Sequence, residues 1–337
     1  MAIKSTFIIF FLWIRKDHSL ALILGGNIFG YSLNKRETFK LLDQAFEYGI
    51  LQIDTAGVYS SGLSESIIGD WILSRKRQES MKIITKLEID NINSISAFEA
   101  SLHFQFEASL SRLRCEQVDT LLLHHYPTNF KFLETYLNFV EKKISLKQIR
   151  HWGISNISTK EFSFLVTKMV QRQLREVTVQ NYCNWAKRDA DYWSQFFSFI
   201  NQEQMTLNVM SYGVFGRGAL VKVPNRNPIS EEFGKQRSFL NPLIHQEKSD
   251  VNLQAILQAI YGMISEKENP LESFALSFIL QQRSMVIIGV RTTKQLESIL
   301  DLIRSPIKHE SVKEILFHIS TLRTKLDLSL GDSGFGI

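Results

Sequence analysis

A single eight-stranded α/β barrel, with an N-terminal strand or hairpin and extra C-terminal helices, is the fold class this sequence predicts. Three observations predict it. Short β-rich runs alternate eight times with longer helical patterns from Leu20 onward. The runs LLL at 121–123 and VII at 286–288 are continuously apolar, as expected of parallel strands covered on both faces. No GxGxxG follows the first strand, although LGGNIFG at 24–30 is rich in glycine, so a doubly wound open sheet is the weaker reading.

Taken in order, LALIL (20–24) precedes a helical pattern over 35–48, and LQIDTA (51–56) one over 64–74. KIITKLEI (82–89) precedes 96–113, VDTLLLH (118–124) precedes 130–142, and HWGIS (151–155) precedes 159–173. VTVQ (177–180) leads to a helix over 189–201. LNVMSY (207–212) leads through an irregular stretch to a helix from Leu253, and MVIIGV (285–290) to one from Thr293. Further helical periodicity covers 253–265 and 311–326. Repeated strand–helix units require parallel pairing with right-handed crossovers, and eight of them close into a TIM barrel. The reading is one domain, 1–337, with the barrel proper at about 20–303.

Three stretches fall outside the repeat. The run FIIFFLWI (7–14) is too short to span a bilayer. A signal peptide is disfavoured by Arg15, Lys16 and Asp17 in the cleavage region, so a buried N-terminal strand and turn are expected. The segment 221–251 holds three of the six prolines and reads as a long loop over the substrate. The small-residue tail 331–337 reads as mobile.

Composition narrows the function. With 44% hydrophobic and 22% charged residues in 337, the chain is neither disordered nor collagen-like. The net charge of +5 is spread out, and the densest basic cluster, from Lys142 and Lys143 to His151, ends a helical pattern, where cations suit the dipole. That distribution argues against nucleic acid as a partner. Cys115 and Cys183 form neither a disulfide framework nor a metal motif, so a cytoplasmic protein without a bound metal is expected.

The polar residues at strand ends carry the chemistry. In such a barrel, side chains at the C-terminal ends of the strands converge on one site. Asp54 ends the second strand, Lys86 the third and His124 the fourth, while Tyr59 lies in the loop after the second. Each alone has an ordinary structural reading; four at the same end of three consecutive strands suggest a site. A tyrosine of pKa about 10 needs a neighbouring cation to act near neutrality. Lys86 supplies that charge, Asp54 orients Lys86, and His124 hydrogen-bonds a carbonyl. Such a set protonates an alkoxide as it forms, which hydride reduction of a carbonyl requires.

Over nearly its whole length, from about 20 to 303, the chain resembles the aldo-keto reductase family. The matching segments are LILGGNIFG, IDTAGVYSSGLSESIIG, IITK, VDTLLLHH, HWGISN, VQNYCN, SYGVFGRGAL and VIIGVRTTKQL. The resemblance implies NAD(P)H-dependent reduction of an aldehyde or ketone and a catalytic tetrad of Asp54, Tyr59, Lys86 and His124. The family's histidine falls five residues after the strand aspartate, here Asp119, which selects His124 over His125. His125 is expected on the other face of the strand end.

The same resemblance implies a cofactor site. Gly26, Asn27 and Asp54 match its edge, and Ser155, Asn156 and Gln180 match the readers of the nicotinamide carboxamide. Tyr212 matches the aromatic stacked on the ring. Gly213, Phe215, Gly216, Arg217 and Gly218 match the loop under the pyrophosphate, where glycine allows close approach. Gly289, Val290, Arg291 and Gln295 match the adenosine-phosphate end near a helix N-terminus. Arg291 is the warrant for NADP(H) over NAD(H). There are departures. Cys183 stands in place of an aromatic and leaves room near the nicotinamide; Ser298 and Ile299 replace adenine-contacting residues; Gln295 replaces a basic residue. Phe29, Tyr31, Tyr126 and the 221–251 loop are expected to line the pocket of a small carbonyl substrate. No sequence feature selects among aldehydes, sugars and ketones, and the oligomeric state is open. A cofactor-binding regulatory subunit of the same fold is the alternative. A metal-assisted hydrolase lacks an HxH pair or bridging carboxylates.

Overall fold

The computed structural model describes residues 22–89, 92, 94–127, 129–201, 203–221 and 247–325. Eight strands, β1 (Leu22–Gly25), β2 (Gln52–Asp54), β3 (Lys82–Leu87), β4 (Val118–Leu123), β5 (Ile149–Ser155), β6 (Glu176–Tyr182), β7 (Thr206–Tyr212) and β8 (Met285–Ile288), close in chain order into a parallel barrel. β1 pairs with both β2 and β8. The fold is a (β/α)8 TIM barrel, as the alternation predicts.

Ten α-helices occur among the described residues: α1 (Lys35–Glu47), α2 (Leu63–Arg75), α3 (Ile95–Leu113), α4 (Phe130–Ser145), α5 (Thr159–Arg172), α6 (Tyr192–Ile200), α7 (Glu247–Met263), α8 (Pro270–Leu280), α9 (Thr293–Arg304) and α10 (His309–Lys325). Side-chain caps fix several starts. Asn34 with Glu37, and Ser158 with Glu161, form capping boxes on α1 and α5, and Ser94, Asn129 and Thr292 cap α3, α4 and α9. Each cap contributes about 1 kcal/mol.

Strand register decides what faces the barrel interior. Ile84 pairs with Asp54 and with Thr120, Lys86 with Leu122, and Leu122 with Gly153. Ser155 pairs with Gln180, Gln180 with Met210, and Tyr182 with Tyr212. With side chains alternating every second residue, one set of positions points inward. Its apolar members Ile23, Ile84, Leu122, Met210 and Ile287 form a separate buried cluster inside the barrel. Two residues further along their strands lie Lys86 and Tyr212, and the bend after β4 carries His124 at the same offset. The apolar cluster is therefore the floor on which the polar residues stand. Truncating Ile84 to Ala would cost about 2–5 kcal/mol.

Two helices differ from the sequence reading. α7 begins at Glu247, inside the stretch expected to be a loop. α8 has no counterpart in the periodicity, because nine of its eleven residues are buried and no polar face marks a period. Its signals were a Pro at the first helical position and Asn269 before it. The expected N-terminal strand, the 222–246 part of the long loop and the tail lie outside the described residues.

Candidate active site

Asp54, Lys86 and Tyr59 meet in one buried hydrogen-bonded group at the C-terminal mouth of the barrel. Lys86 Nζ donates to Asp54 Oδ1 at 2.8 Å, to the Thr55 carbonyl at 2.8 Å and to Tyr59 Oη at 3.0 Å. An ammonium has three donors, and all three are used. The Lys86 side chain is 0% exposed and Asp54 5%. Burial opposes the Lys86 charge, but Asp54 and Tyr59 outweigh it and hold the amine above its ordinary value.

Tyr59 opens a short 3₁₀ turn, Tyr59–Gly62, rather than lying in open loop. Ser60 and Ser61 have φ of 51° and 54°, a backbone region costly for side-chain-bearing residues. The turn is held from several sides. Ser60 Oγ donates to the Phe29 carbonyl at 2.9 Å, and Ser64 Oγ to the Gly26 carbonyl at 2.8 Å. Buried Glu65 accepts from Thr85 at 2.6 Å and from Arg112 Nε at 2.7 Å. The expectation that Lys86 lowers the Tyr59 pKa is corrected: burial is the larger effect and pushes the phenol above 10, with Lys86 acting against it. A phenol so placed keeps its proton at neutral pH.

His124 follows the end of β4, its ring edge-on to Tyr59 with centroids 5.9 Å apart. His125 does not turn to the other face as alternation predicted. β4 ends at Leu123, so strand geometry does not extend to it, and its ring stacks on His124 at 5.1 Å and 12°. Burial pushes the His125 pKa down, and the neighbouring His124 adds to that. Glu88, which sequence reasoning missed, contacts His124 Nδ1. Its signal was alternation, since it stands two residues after Lys86. Glu88, His124 and His125 bring potential ligand atoms within 4.8 Å of one another. The two imidazole planes are nearly parallel, however, and in-plane lone pairs on parallel rings do not converge on one ion.

The expected carboxamide readers bond to one another and to the tetrad. Gln180 Nε2 donates to Asp54 Oδ2 at 2.7 Å, and Ser155 Oγ to the Gln180 carbonyl at 2.9 Å. Asn156 Nδ2 donates to the His124 carbonyl at 3.0 Å, and Tyr212 Oη to Asn156 Oδ1 at 2.6 Å. Burial pushes the Tyr212 phenol up to about 12. Its ring packs edge-on against Tyr182.

Beyond β7 the chain turns through Gly213, Gly216, Arg217 and Gly218, all at positive φ. At Gly213 a Cβ would stand 2.2 Å from Tyr182 Cε2, so only glycine fits. Phe215 packs partly against the core. At the neighbouring ends of β8 and β1, Asn27 Oδ1 lies 3.7 Å from where a Cβ of Gly289 would be, the nearest atom outside the adjoining residues. Val290 is buried and offers only backbone there, whereas Arg291 is exposed. Gln295 Oε1 accepts the Arg291 N–H at 2.8 Å, so this residue caps the turn before α9. Glycine turns, an exposed arginine and the start of a helix suit a dinucleotide's phosphates, and the residues present fit such a cofactor.

Two sequence expectations are corrected. Phe29 is 0% exposed and packs in the core, so it lines no pocket, while Tyr31 is 80% exposed and Tyr126 half-buried. Cys183 is also 0% exposed and opens no space at the nicotinamide position. Ile299 is turned into the core, and Ser298 accepts from Asn269 at 3.1 Å.

An oxidoreductase of the (β/α)8 class is what the fold and its relatives define. The aldo/keto reductase family model matches residues 21–319, and the chain belongs to that family. It is 28% identical to an aryl-alcohol dehydrogenase of Pestalotiopsis microspora, over 83% of this chain and 72% of that one. It is 22% identical to an aldo-keto reductase of Alternaria alternata, over 86% and 85%. A norsolorinic acid reductase of Emericella nidulans is 24% identical over 84% and 72%. The structure of a glycerol dehydrogenase from Gluconobacter oxydans superposes with a TM-score of 0.73 at 20% identity, covering 94% of this chain and 95% of that one, a likeness of fold. The family uses nicotinamide cofactors. No helix among the described residues is long and apolar enough to cross a membrane.

Proposed function

We propose that this chain, acting as one barrel domain, reduces an aldehyde or ketone to an alcohol with NAD(P)H, and that Tyr59 is the general acid. The observation that carries the reading is the Lys86 ammonium: its third donor goes to the Tyr59 oxygen. The Tyr59 oxygen thus accepts, and its own proton is left to donate to an alkoxide. Lys86 stabilises the tyrosinate that remains, Asp54 balances Lys86, and His124 orients the carbonyl. A reduced nicotinamide supplies hydride when bound. Gln180, Ser155 and Asn156 would hold its carboxamide, and Tyr212 its ring face. Gly26, Asn27 and the 213–218 turn would cradle the pyrophosphate, and Gly289, Val290, Arg291 and Gln295 the adenosine phosphate. Arg291 supports NADP(H) over NAD(H).

Tyr59→Phe tests this directly. It keeps the ring and removes the proton donor, so kcat for carbonyl reduction should fall about 10²–10⁴-fold. NADPH affinity, read by fluorescence titration, should hardly move. Full activity in Tyr59→Phe would assign the acid elsewhere. Aryl aldehydes come first in the substrate panel, since one relative is named for aryl alcohols. Wild-type protein that binds NADPH and turns over no carbonyl compound would favour a regulatory subunit. The raised Tyr59 pKa also fixes a pH signature. Reduction needs the phenol protonated and alcohol oxidation needs it ionised. From Tyr59 alone, reduction should therefore hold through neutral pH, while oxidation climbs only as pH rises into the alkaline range.

A further inference from the structure

Glu88 has no part in the mechanism above, yet it is fastened as firmly as the residues that do. Its backbone N–H donates to Gln105 Oε1 at 2.8 Å, and Gln105 Nε2 returns a bond to the Glu88 carbonyl at 3.2 Å. Gln105 is itself fixed by Ser101 Oγ at 2.8 Å, so helix α3 sets where Glu88 stands. The Glu88 carboxylate meets His124 Nδ1, with the two side chains only 17% and 14% exposed. The backbone of His124 is pinned as well, its N–H donating to the Leu87 carbonyl at 2.9 Å and its carbonyl accepting from Asn156. What remains free at His124 is rotation of the ring, and Glu88 removes it.

We propose that Glu88 is a positioning residue for carbonyl reduction: it accepts the Nδ1–H of His124, fixes the ring, and assigns Nε2 to the substrate oxygen. This rests on the reading of His124 given above and deepens it. A ring protonated at Nδ1 alone presents only a lone pair at Nε2, which cannot bond a carbonyl oxygen. When both ring nitrogens carry protons, Nδ1–H bonds the Glu88 carboxylate and Nε2–H donates to the carbonyl. The charged and titratable groups facing the ring are Glu88 and Lys86 from β3 and its end, Tyr59 from the 3₁₀ turn, and His125 stacked upon it. Glu88 is itself held in its ionised form: burial works against the charge, but the bond to His124 and the His124, His125 and Lys86 charges prevail. Nothing else in this group offers His124 a carboxylate. Asp54 is already engaged by Lys86 and Gln180.

Two variants divide the effect. Glu88→Gln keeps an acceptor for Nδ1–H and loses the charge; Glu88→Leu loses both. Both should melt close to wild type and bind NADPH as wild type does. At neutral pH, kcat/KM should fall about tenfold in E88Q, which loses the charge assistance of the bond, and further in E88L, which loses the bond itself. E88Q keeps the size and shape of the side chain, so its loss reads the bond rather than packing. A role in packing alone predicts wild-type turnover in E88Q, and that result overturns the proposal. Imidazole nitrogen shifts of His124, assigned with His124→Gln, give a readout independent of turnover. Nδ1 should carry a proton in wild type and lose it in E88L. Should E88L not fold, a deprotonated Nδ1 in the wild-type protein is by itself enough to overturn the assignment. If wild type reduces no carbonyl at all, the reading of function fails, and the nitrogen shifts still decide whether Glu88 orients His124.

Discussion

Between β2 and β4 the barrel mouth is made of side chains that hold one another, whereas between β7 and β8 it is made largely of backbone. On the first arc, Lys86 has all three donors engaged, Asp54 accepts from two residues, and Glu65, Arg112, Ser64 and Ser60 clamp the turn that carries Tyr59. On the second arc, glycines at positive φ form the 213–218 turn, and Arg291 reaches into solvent. The difference reflects what each arc does in the proposed function. A proton donor needs fixed distances and fixed charge, because its effect depends on preorganisation. A phosphate chain is bound by N–H groups and by a guanidinium that closes on it, which needs close approach more than rigid side chains.

The sharpest way to break the first arc is Lys86→Ala, which strands the Asp54 charge inside the barrel. Removing one member of a buried pair costs about 3–5 kcal/mol, so urea denaturation should show a loss of that size together with lost reduction. A stability within about 1 kcal/mol of wild type would mean that Asp54 simply protonates. On the second arc, Gly213→Ala places a methyl against Tyr182 in a backbone region that alanine resists. The expected cost is about 1–3 kcal/mol with weaker NADPH binding, read by thermal melts and fluorescence titration. Arg291→Ala should leave stability unchanged and weaken NADPH about tenfold, near 1.4 kcal/mol, with NADH hardly affected. Equal losses for the two cofactors would remove Arg291 from the 2′-phosphate. The smallest effect belongs to Arg304, whose pair with Asp301 is 55% and 69% exposed. Arg304→Ala should change stability by less than about 0.5 kcal/mol.

The barrel was legible in the sequence because eight short apolar runs and their helices leave few other ways to pack, and all eight strands fall where those runs lie. Amphipathic helices such as α1 and α9 announced themselves, while α8, buried almost all round, did not. Asp54, Lys86 and Tyr59 were visible as polar residues at or just after strand ends. Glu88 was visible by the same alternation and passed over, because nothing local tells a strand-end glutamate that faces a histidine from one that faces water. His125 misled for the opposite reason: alternation was carried two residues past the end of its strand. Burial of the phenol outweighing the lysine's charge was not legible either, since it depends on everything packed around Tyr59.

The apolar floor inside the barrel has a consequence for how such a protein can diverge. Ile84 and Lys86 share a strand, as do Met210 and Tyr212, and Leu122 stands two residues before His124. Deleting one residue from β3 upstream of Ile84 would turn Lys86 toward the helices and bring Thr85 or Leu87 to the mouth. A one-residue change of length within such a strand therefore exchanges floor and site for outer packing at once. Loops between strands and helices carry no such parity. Lineages built on this barrel are free to lengthen and rewrite their loops, and with them the compounds they admit, while the strand lengths stay locked.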